Sequence, residues 1–396
     1  MVRFAAMNLE TIQGSLKELG LPAWLLYDFH GSNPIARHVA GIGPERLVTR
    51  RWFGLVPAIG EPVWLHHAIE AHLFADLPGR RIAFVGYREL NERLREILKG
   101  LDRVAMEYVP LGAIPYVSRV DAGTVEMVRA AGPSVVSSAD LVQSCEARWS
   151  AEGLASHRRA AQGLREVLQA TFQEVTARVS GGQEPTEYAI QQFMMEQFRA
   201  RKMFAEPPIV AVNAHAGNPH YEPTAKGSAP IRRGDLLLLD LWCREENEGS
   251  IWADITWMAY LGPKVPEKQR EVWDIVAGAR DAAVSFLKET VARGKPVHGS
   301  EVDEVTRDHI RQRGYAERFL HRTGHSIGFE VHGNGCNIDA LETIDDRRLI
   351  PRTGFSIEPG IYLADFGIRS EIDVYMDERS VEVTTVVQDQ IVPLLG

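Results

Sequence analysis

Asp235-Leu236-Leu237-Leu238-Leu239-Asp240-Leu241-Trp242 is the stretch on which the fold turns. An apolar run this continuous implies a strand covered on both faces. Asp240 interrupts it, and an ionised carboxylate in a dry strand is costly unless something positive meets it. A second apolar run, Ile251-Trp252-Ala253-Asp254-Ile255-Thr256-Trp257, carries Asp254. Between the two lies the polar turn Arg244-Glu245-Glu246-Asn247-Glu248-Gly249-Ser250. A hairpin centred on Asn247 sets Asp240 directly opposite Asp254, with roughly 5 Å between their Cβ atoms. Like charges so placed repel, and a cation between them reverses the sign.

The pattern recurs downstream. Phe355-Ser356-Ile357-Glu358-Pro359-Gly360-Ile361-Tyr362 and Gly367-Ile368-Arg369-Ser370-Glu371-Ile372-Asp373-Val374 flank a short turn near Ala364-Asp365. Glu358 and Glu371 are equidistant from its centre and converge. Either pair alone reads as turn-forming acids. Together, embedded in apolar runs, they call for two divalent cations. Asp373 and Asp377 read as ordinary solvated or turn residues. Upstream, His321-Arg322-Thr323-Gly324-His325-Ser326-Ile327-Gly328-Phe329-Glu330-Val331-His332 holds three histidines among glycines, which let backbone approach a site closely. His220 lies in the proline-bracketed turn Asn218-Pro219-His220-Tyr221-Glu222-Pro223, and His66, His67, His215 and His298 have no partner pattern.

Outward from these motifs, 396 residues suggest two domains, and 45% hydrophobic with 24% charged residues is the balance of a globular chain. The net charge of −9 argues against a nucleic-acid or anionic-membrane binder. Three cysteines, Cys145, Cys243 and Cys336, form neither a disulfide framework nor a thiolate cluster, so a reducing, cytoplasmic setting is expected. Met1 to Gly20 lacks the apolar core of a signal peptide.

Up to about Gln143 short strands alternate with helices, an α/β layer pattern. Ala23–Tyr27, Trp52–Ile59, Arg81–Val85 and Val104–Met106 read as strands; Leu9–Leu19, Ile69–Phe74, Leu90–Leu98 and Asp121–Ala131 read as helices. A long helix follows from a Ser150 cap to about Val179, stopped by Gly181-Gly182, then a second over Pro185–Arg201 with Pro in its first turn. The remainder is strand-rich, with helices over Glu267–Arg293 and Ser300–Arg313, the latter capped at Ser300. The expected division lies just before the long helix.

These residues in this order resemble the metallopeptidases of the pita-bread fold: prolidase, aminopeptidase P and methionine aminopeptidase. The resemblance covers about Ser150 to the C-terminus. It implies an α/β chain with a creatinase/prolidase-type N-terminal domain at 1–148 and a pita-bread (duplicated α+β) catalytic domain at 149–396. The N-terminal domain weighs against methionine aminopeptidase. By this resemblance the metal ligands are Asp240, Asp254, His325, Glu358 and Glu371, holding two divalent ions: manganese or cobalt, with zinc the third option. Glu358 is implied as general base, His220 and His332 as substrate contacts, His321 as a further site histidine and Arg369 as its support. The implied activity is hydrolysis of the Xaa-Pro bond at the N-terminus of dipeptides or short peptides, by a homodimer.

Some features depart from that pattern. The spacing from Asp240 to Asp254 is a few residues longer, and Leu241-Trp242-Cys243 replaces small residues. Gly333 to Ile338 contains no cation where prolidases carry an arginine for the dipeptide carboxylate, which leaves Arg347, Arg348 or Arg352 as substitutes. Three rivals stand beside this reading. Gly324-His325-Ser326-Ile327-Gly328 matches a serine-hydrolase elbow, but that motif needs a strand before the serine, a helix after it, and a later Asp and His. A metal-free creatinase-like amidinohydrolase and a non-catalytic pita-bread binding module share the fold, yet both branches lose the ligands retained here.

Overall fold

The computed structural model describes residues 7–43, 45–247 and 249–395. Residues 1–6 of the amino-terminal stretch and Glu248 of the first hairpin turn therefore lie outside the described residues. The chain divides into two compact units, Met1–Glu146 and Ala147–Gly396.

The first unit is one mixed six-stranded sheet with helices against it. Its strands are β1 (Ala23–Asp28), β2 (Trp52–Pro57), β3 (Val63–His67), β4 (Arg80–Phe84), β5 (Arg103–Met106) and β6 (Ser134–Ser137), in the order β4-β3-β2-β1-β5-β6. The helices are α1 (Leu9–Glu18), α2 (Pro34–Ala40), α3 (Tyr87–Leu98), α4 (Ala122–Ala131) and α5 (Ala139–Glu146). β3, β6, α2 and α5 are elements that the sequence reading did not include. Every residue of β1 is buried, as its central position requires.

In the second unit α6 (Ala151–Ser180) is capped by the Ser150 side chain, which accepts from the Gly153 N–H. Its buried stripe includes Ala160, Leu164, Val167, Leu168, Thr171 and Val175, the spacing of one helical face. α7 (Glu187–Ala200) starts later than expected: Thr186 is the cap, and Pro185 precedes it. The sheet that follows joins β7 (Met203–Ala205), β8 (Ile209–Val212), β9 (Leu236–Glu245) and β10 (Ala253–Tyr260), with β9 paired to the other three. Leu237, Leu239, Leu241 and Cys243 of β9 pack in one core cluster with α6 and α7. Leu236 and Leu238 point the other way, into a cluster with α8 (Glu267–Ala292). Both faces of β9 are thus covered, and Asp240 lies on the α8 side. α9 (Gly299–Arg311) is capped two residues earlier than Ser300, at His298, whose N–H donates to Glu301 Oε2 at 2.9 Å.

The last layers are β11 (Ser326–Ile327), β12 (Thr353–Ile357), β13 (Gly360–Tyr362), β14 (Gly367–Arg369), β15 (Ile372–Met376) and β16 (Val381–Val383). β12 pairs with β15 and β13 with β14 in one continuous register, and that register sets Glu358 opposite Glu371. The first hairpin differs from expectation. Asp240 faces Thr256 and Asp254 faces Trp242, so the centre falls one residue beyond Asn247. The connection is uneven because tertiary bonds draw its second arm off β9. Ile251 N–H donates to Ser156 Oγ at 2.9 Å and Trp252 N–H to Gly328 O at 3.1 Å. The slip moves each partner by two residues, which preserves the face, so both aspartates stay on one side as diagonal neighbours.

Among the described residues no helix is long and apolar enough to cross a membrane.

Candidate metal centre

Strand alternation aims Asp240 of β9, and Asp254 and Thr256 of β10, into one pocket. The acids after β12 and before β15 arrive from the other hairpin. Asp254, His325 and Glu371 each offer a ligand atom, and these atoms lie within 4.8 Å of one another. Glu358 Oε1 is 3.4 Å from His325 Nε2, and Asp254 Oδ2 is 3.8 Å from it. His325 Nδ1 faces Ser326 O at 3.3 Å, so that nitrogen donates and Nε2 turns a lone pair toward two carboxylates. Asp240 stands outside the triplet: its Oδ2 is held by Arg369 Nη2.

The electrostatics follow from burial. Desolvation, reinforced by Asp240, Asp373 and Glu358, pushes the Asp254 carboxyl well above its usual range. Burial and the charges of Asp254, Glu358 and Asp240 do the same to Glu371. Burial also raises Asp240, with Arg369 opposing, and lifts Glu358 to about 7. Desolvation holds the histidines neutral: His325 well below its ordinary value, His332 at about 4 and His321 at about 3. Three buried acids and the partly exposed Glu358, beside neutral imidazoles, make an acidic cluster that Arg369 and Arg322 only partly neutralise. Asp254 Oδ1 is buried without a hydrogen-bond partner, as is Asp373 Oδ1.

The other predicted residues take distinct places. The His332 ring stands edge-on to His325, centroids 4.3 Å apart. His321 Nε2 accepts from Tyr362 OH at 2.7 Å, and its Nδ1 donates to Arg322 O at 2.7 Å. Arg369 bonds Tyr362 OH at 3.2 Å and Thr256 Oγ1 at 3.0 Å. Thr256 Oγ1 then donates to Glu371 Oε2 at 2.8 Å. His220 is exposed and stands near enough to both Asp240 and His332 to interact with them electrostatically. Its loop is held by buried Glu187, whose carboxylate accepts from Val212 N–H and Ala229 N–H at 2.8 Å, Tyr221 OH at 2.6 Å and His215 Nδ1 at 2.9 Å.

Two sequence readings are corrected here. Asp373 is not a solvated turn residue: it is fully buried, and its Oδ2 accepts the Asp254 N–H at 2.8 Å. Arg347 is not available to a substrate carboxylate. It is 5% exposed and bound to Asp345 at 2.7 Å and to the carbonyls of Asn334 and Gly335 at 2.7 and 2.6 Å. Asp377 is exposed, as expected. Ser326 lies in a two-residue strand, not at a strand-to-helix turn, so the serine-hydrolase geometry is missing. Sequence reasoning missed Thr256, Ser356, Tyr362 and His157. The first two stand two residues from a named acid and share its face, a usable signal. His157 comes from α6 to within 3.9 Å of Asp373, and no local pattern foretells that.

A model of metallopeptidase family M24 matches residues 155–378. The chain is 33% identical over 199 residues to an Xaa-Pro dipeptidase of Lactobacillus helveticus, covering 50% of this chain and 47% of that protein. It is 30% identical over 219 residues to an Xaa-Pro dipeptidase of Pyrococcus furiosus (strain ATCC 43587 / DSM 3638 / JCM 8422 / Vc1), covering 55% and 57%. The matches thus span about half the length of these curated relatives. Among solved structures, dipeptidase PepE from Mycobacterium ulcerans superposes with a TM-score of 0.73 at 20% identity, covering 98% of this chain and 97% of that one. An X-Pro aminopeptidase from Thermotoga maritima MSB8 gives 0.61 at 22% identity, covering 96% and 99%.

Proposed function

The chain belongs to metallopeptidase family M24 and has its pita-bread fold, and from that premise we propose that it is a two-metal exopeptidase hydrolysing the Xaa-Pro bond at the amino end of dipeptides or short peptides. The observation that carries this reading is the convergence of Asp254, His325 and Glu371 within 4.8 Å beside Glu358. Residues 1–148 are read as a creatinase/prolidase-type domain and 149–396 as the catalytic domain.

The residues fit a dinuclear centre, since Asp254 Oδ1 is buried without a partner and His325 Nε2 faces carboxylates. Asp240 and Asp254 would hold one divalent ion, His325 and Glu358 the other, with Asp254 and Glu371 shared. A carboxylate-dominated set favours manganese or cobalt, then zinc. What such ions supply when bound is acidification of water and polarisation of the scissile carbonyl.

The remaining work falls to the chain. Glu358, lifted to about 7 and accepting from Ser356 Oγ at 3.2 Å, takes the proton of the attacking water and delivers it to the leaving nitrogen. His332, held neutral by burial, donates to the oxygen on which charge develops, and His220 contacts the substrate beside it. Arg369 and Tyr362 hold Asp240, Thr256 and His321 in place. The family resemblance supports a homodimer, and the sparse cysteines support a cytoplasmic setting.

The test is hydrolysis of alanyl-proline against alanyl-prolyl-alanine, with manganese and with chelator. Metal-dependent cleavage is expected, and cleavage of the dipeptide alone marks a dipeptidase. Glu358→Ala abolishes turnover on this reading. Activity indifferent to chelator, with no bound divalent ion, would leave only the metal-free readings standing.

A further inference from the structure

The site face of β9 continues past the acids in regular rows. Asp240 faces Thr256, and Trp242 faces Asp254. In the next row Arg244 pairs with Phe204 of β7, while the ring of Trp252, the residue just before β10, lies on its other side. Arg244 is therefore a diagonal neighbour of Asp254, about 7–8 Å away along the sheet. Its guanidinium carbon lies 4.4 Å from the Phe204 ring centre and 5.5 Å from that of Trp252. The two rings meet edge-on at 5.7 Å, and Trp252 Nε1 is tied to Phe329 O at 3.1 Å, so the platform is fixed.

The charge on this platform has little to do among the described residues. Its one hydrogen bond among the described residues is Nη1 to Glu245 O at 2.9 Å, and no described carboxylate lies within ion-pair distance. Glu245 pairs with Arg159 at 2.9 Å, and Glu206 accepts from Trp242 Nε1 at 3.3 Å. Aromatic contacts orient a guanidinium and strip water from it while leaving its edge donors open, and those donors match a carboxylate as a fork. A peptide seated at the metal ligands carries its first side chain and its terminal carboxylate within about 7 Å of the scissile bond.

We propose that Arg244, with Trp242, Phe204 and Trp252, forms a subsite that binds a carboxylate of the peptide substrate. The carboxylate is either an acidic side chain on the first residue or the free terminal carboxylate. This rests on the peptidase reading above.

The experiment compares the wild type with Arg244→Met, which keeps the length and the apolar stack, on glutamyl-proline, alanyl-proline and alanyl-prolinamide. Loss of about tenfold in kcat/KM, carried by KM, on glutamyl-proline alone identifies the side chain. The same loss on both free acids, with the amide unaffected, identifies the terminus. Equal loss on all three, or none, overturns the subsite. Arg244→Lys, which keeps the charge but not the fork, serves should the first variant not fold. Calorimetric binding of the same peptides separates the two ideas. A wild type that cleaves none of them ends the peptidase reading, whereas binding that ignores Arg244 ends this one.

Discussion

Arg369 on β14 and Asp240 on β9, 129 residues apart in sequence, are joined by a buried ion pair between Nη2 and Oδ2. Arg369 brings positive charge to the site's acids, and Arg322 adds to it at Glu358. The Arg369 side chain is 5% exposed and that of Asp240 11%, so solvent screening is weak. Arg369→Met should lower the unfolding free energy of metal-free protein by about 3–5 kcal/mol at pH 7, read from urea titration. A loss below about 1 kcal/mol would show that the acids are relieved by other means.

Tyr362 links Arg369 to His321, accepting from one and donating to the other. Tyr362→Phe should cut kcat/KM by about tenfold, because His321 loses the donor that orients it. Manganese affinity should hold within about twofold, since no proposed ligand is touched. Steady-state kinetics and calorimetry on one preparation check both halves.

Gly324 is required for clearance, not for a special backbone angle. A Cβ there would stand 1.9 Å from Ser356 O, on the strand that leads to Glu358. Gly324→Ala must push His325 away from β12. Manganese affinity should fall about 10–100-fold, the scale at which supporting contacts act on a metal site. Unchanged affinity would place His325 outside the ligand set.

In the first unit, fully buried Glu107 accepts from Trp24 Nε1 at 2.5 Å, Asn33 Nδ2 at 2.7 Å and Ser138 Oγ at 3.0 Å. Burial nevertheless raises its carboxyl to about 7, with those donors opposing. The folded state therefore holds a proton that the unfolded chain releases near its ordinary value. The associated stability is complete below about pH 4.5 and is lost as pH rises through about 7, a change on the order of 3 kcal/mol. Urea midpoints at pH 5 and pH 8 should differ for the wild type and converge in Glu107→Gln. An identical slope in both proteins would assign the pH dependence elsewhere.

Legibility in the sequence followed the range of the interactions. Ser150 as a cap, the long helix after it and the unbroken strand at Leu236–Leu239 were readable because caps and hydrophobic runs act over a few residues. So was the register of the second hairpin, where a short turn leaves little freedom. The first hairpin was misread by one residue at its centre because Ser156 and Gly328, both remote in sequence, set the path of Ile251 and Trp252. Asp373 was misjudged for the same reason: its burial depends on the Asp254 backbone and on His157.

The chain by itself determined that carboxylates would stand in apolar strands, since residue order alone fixes which side chains alternate to which face. It also determined that glycines would flank the histidines. Which acid meets which partner was decided only by tertiary packing. Asp240 turned to Arg369, Asp254 was left with an unpartnered oxygen beside His325 and Glu371, and Arg347 was spent on Asp345. The physical reason is that these contacts join distant segments, and burial sets their strength only after the segments have met.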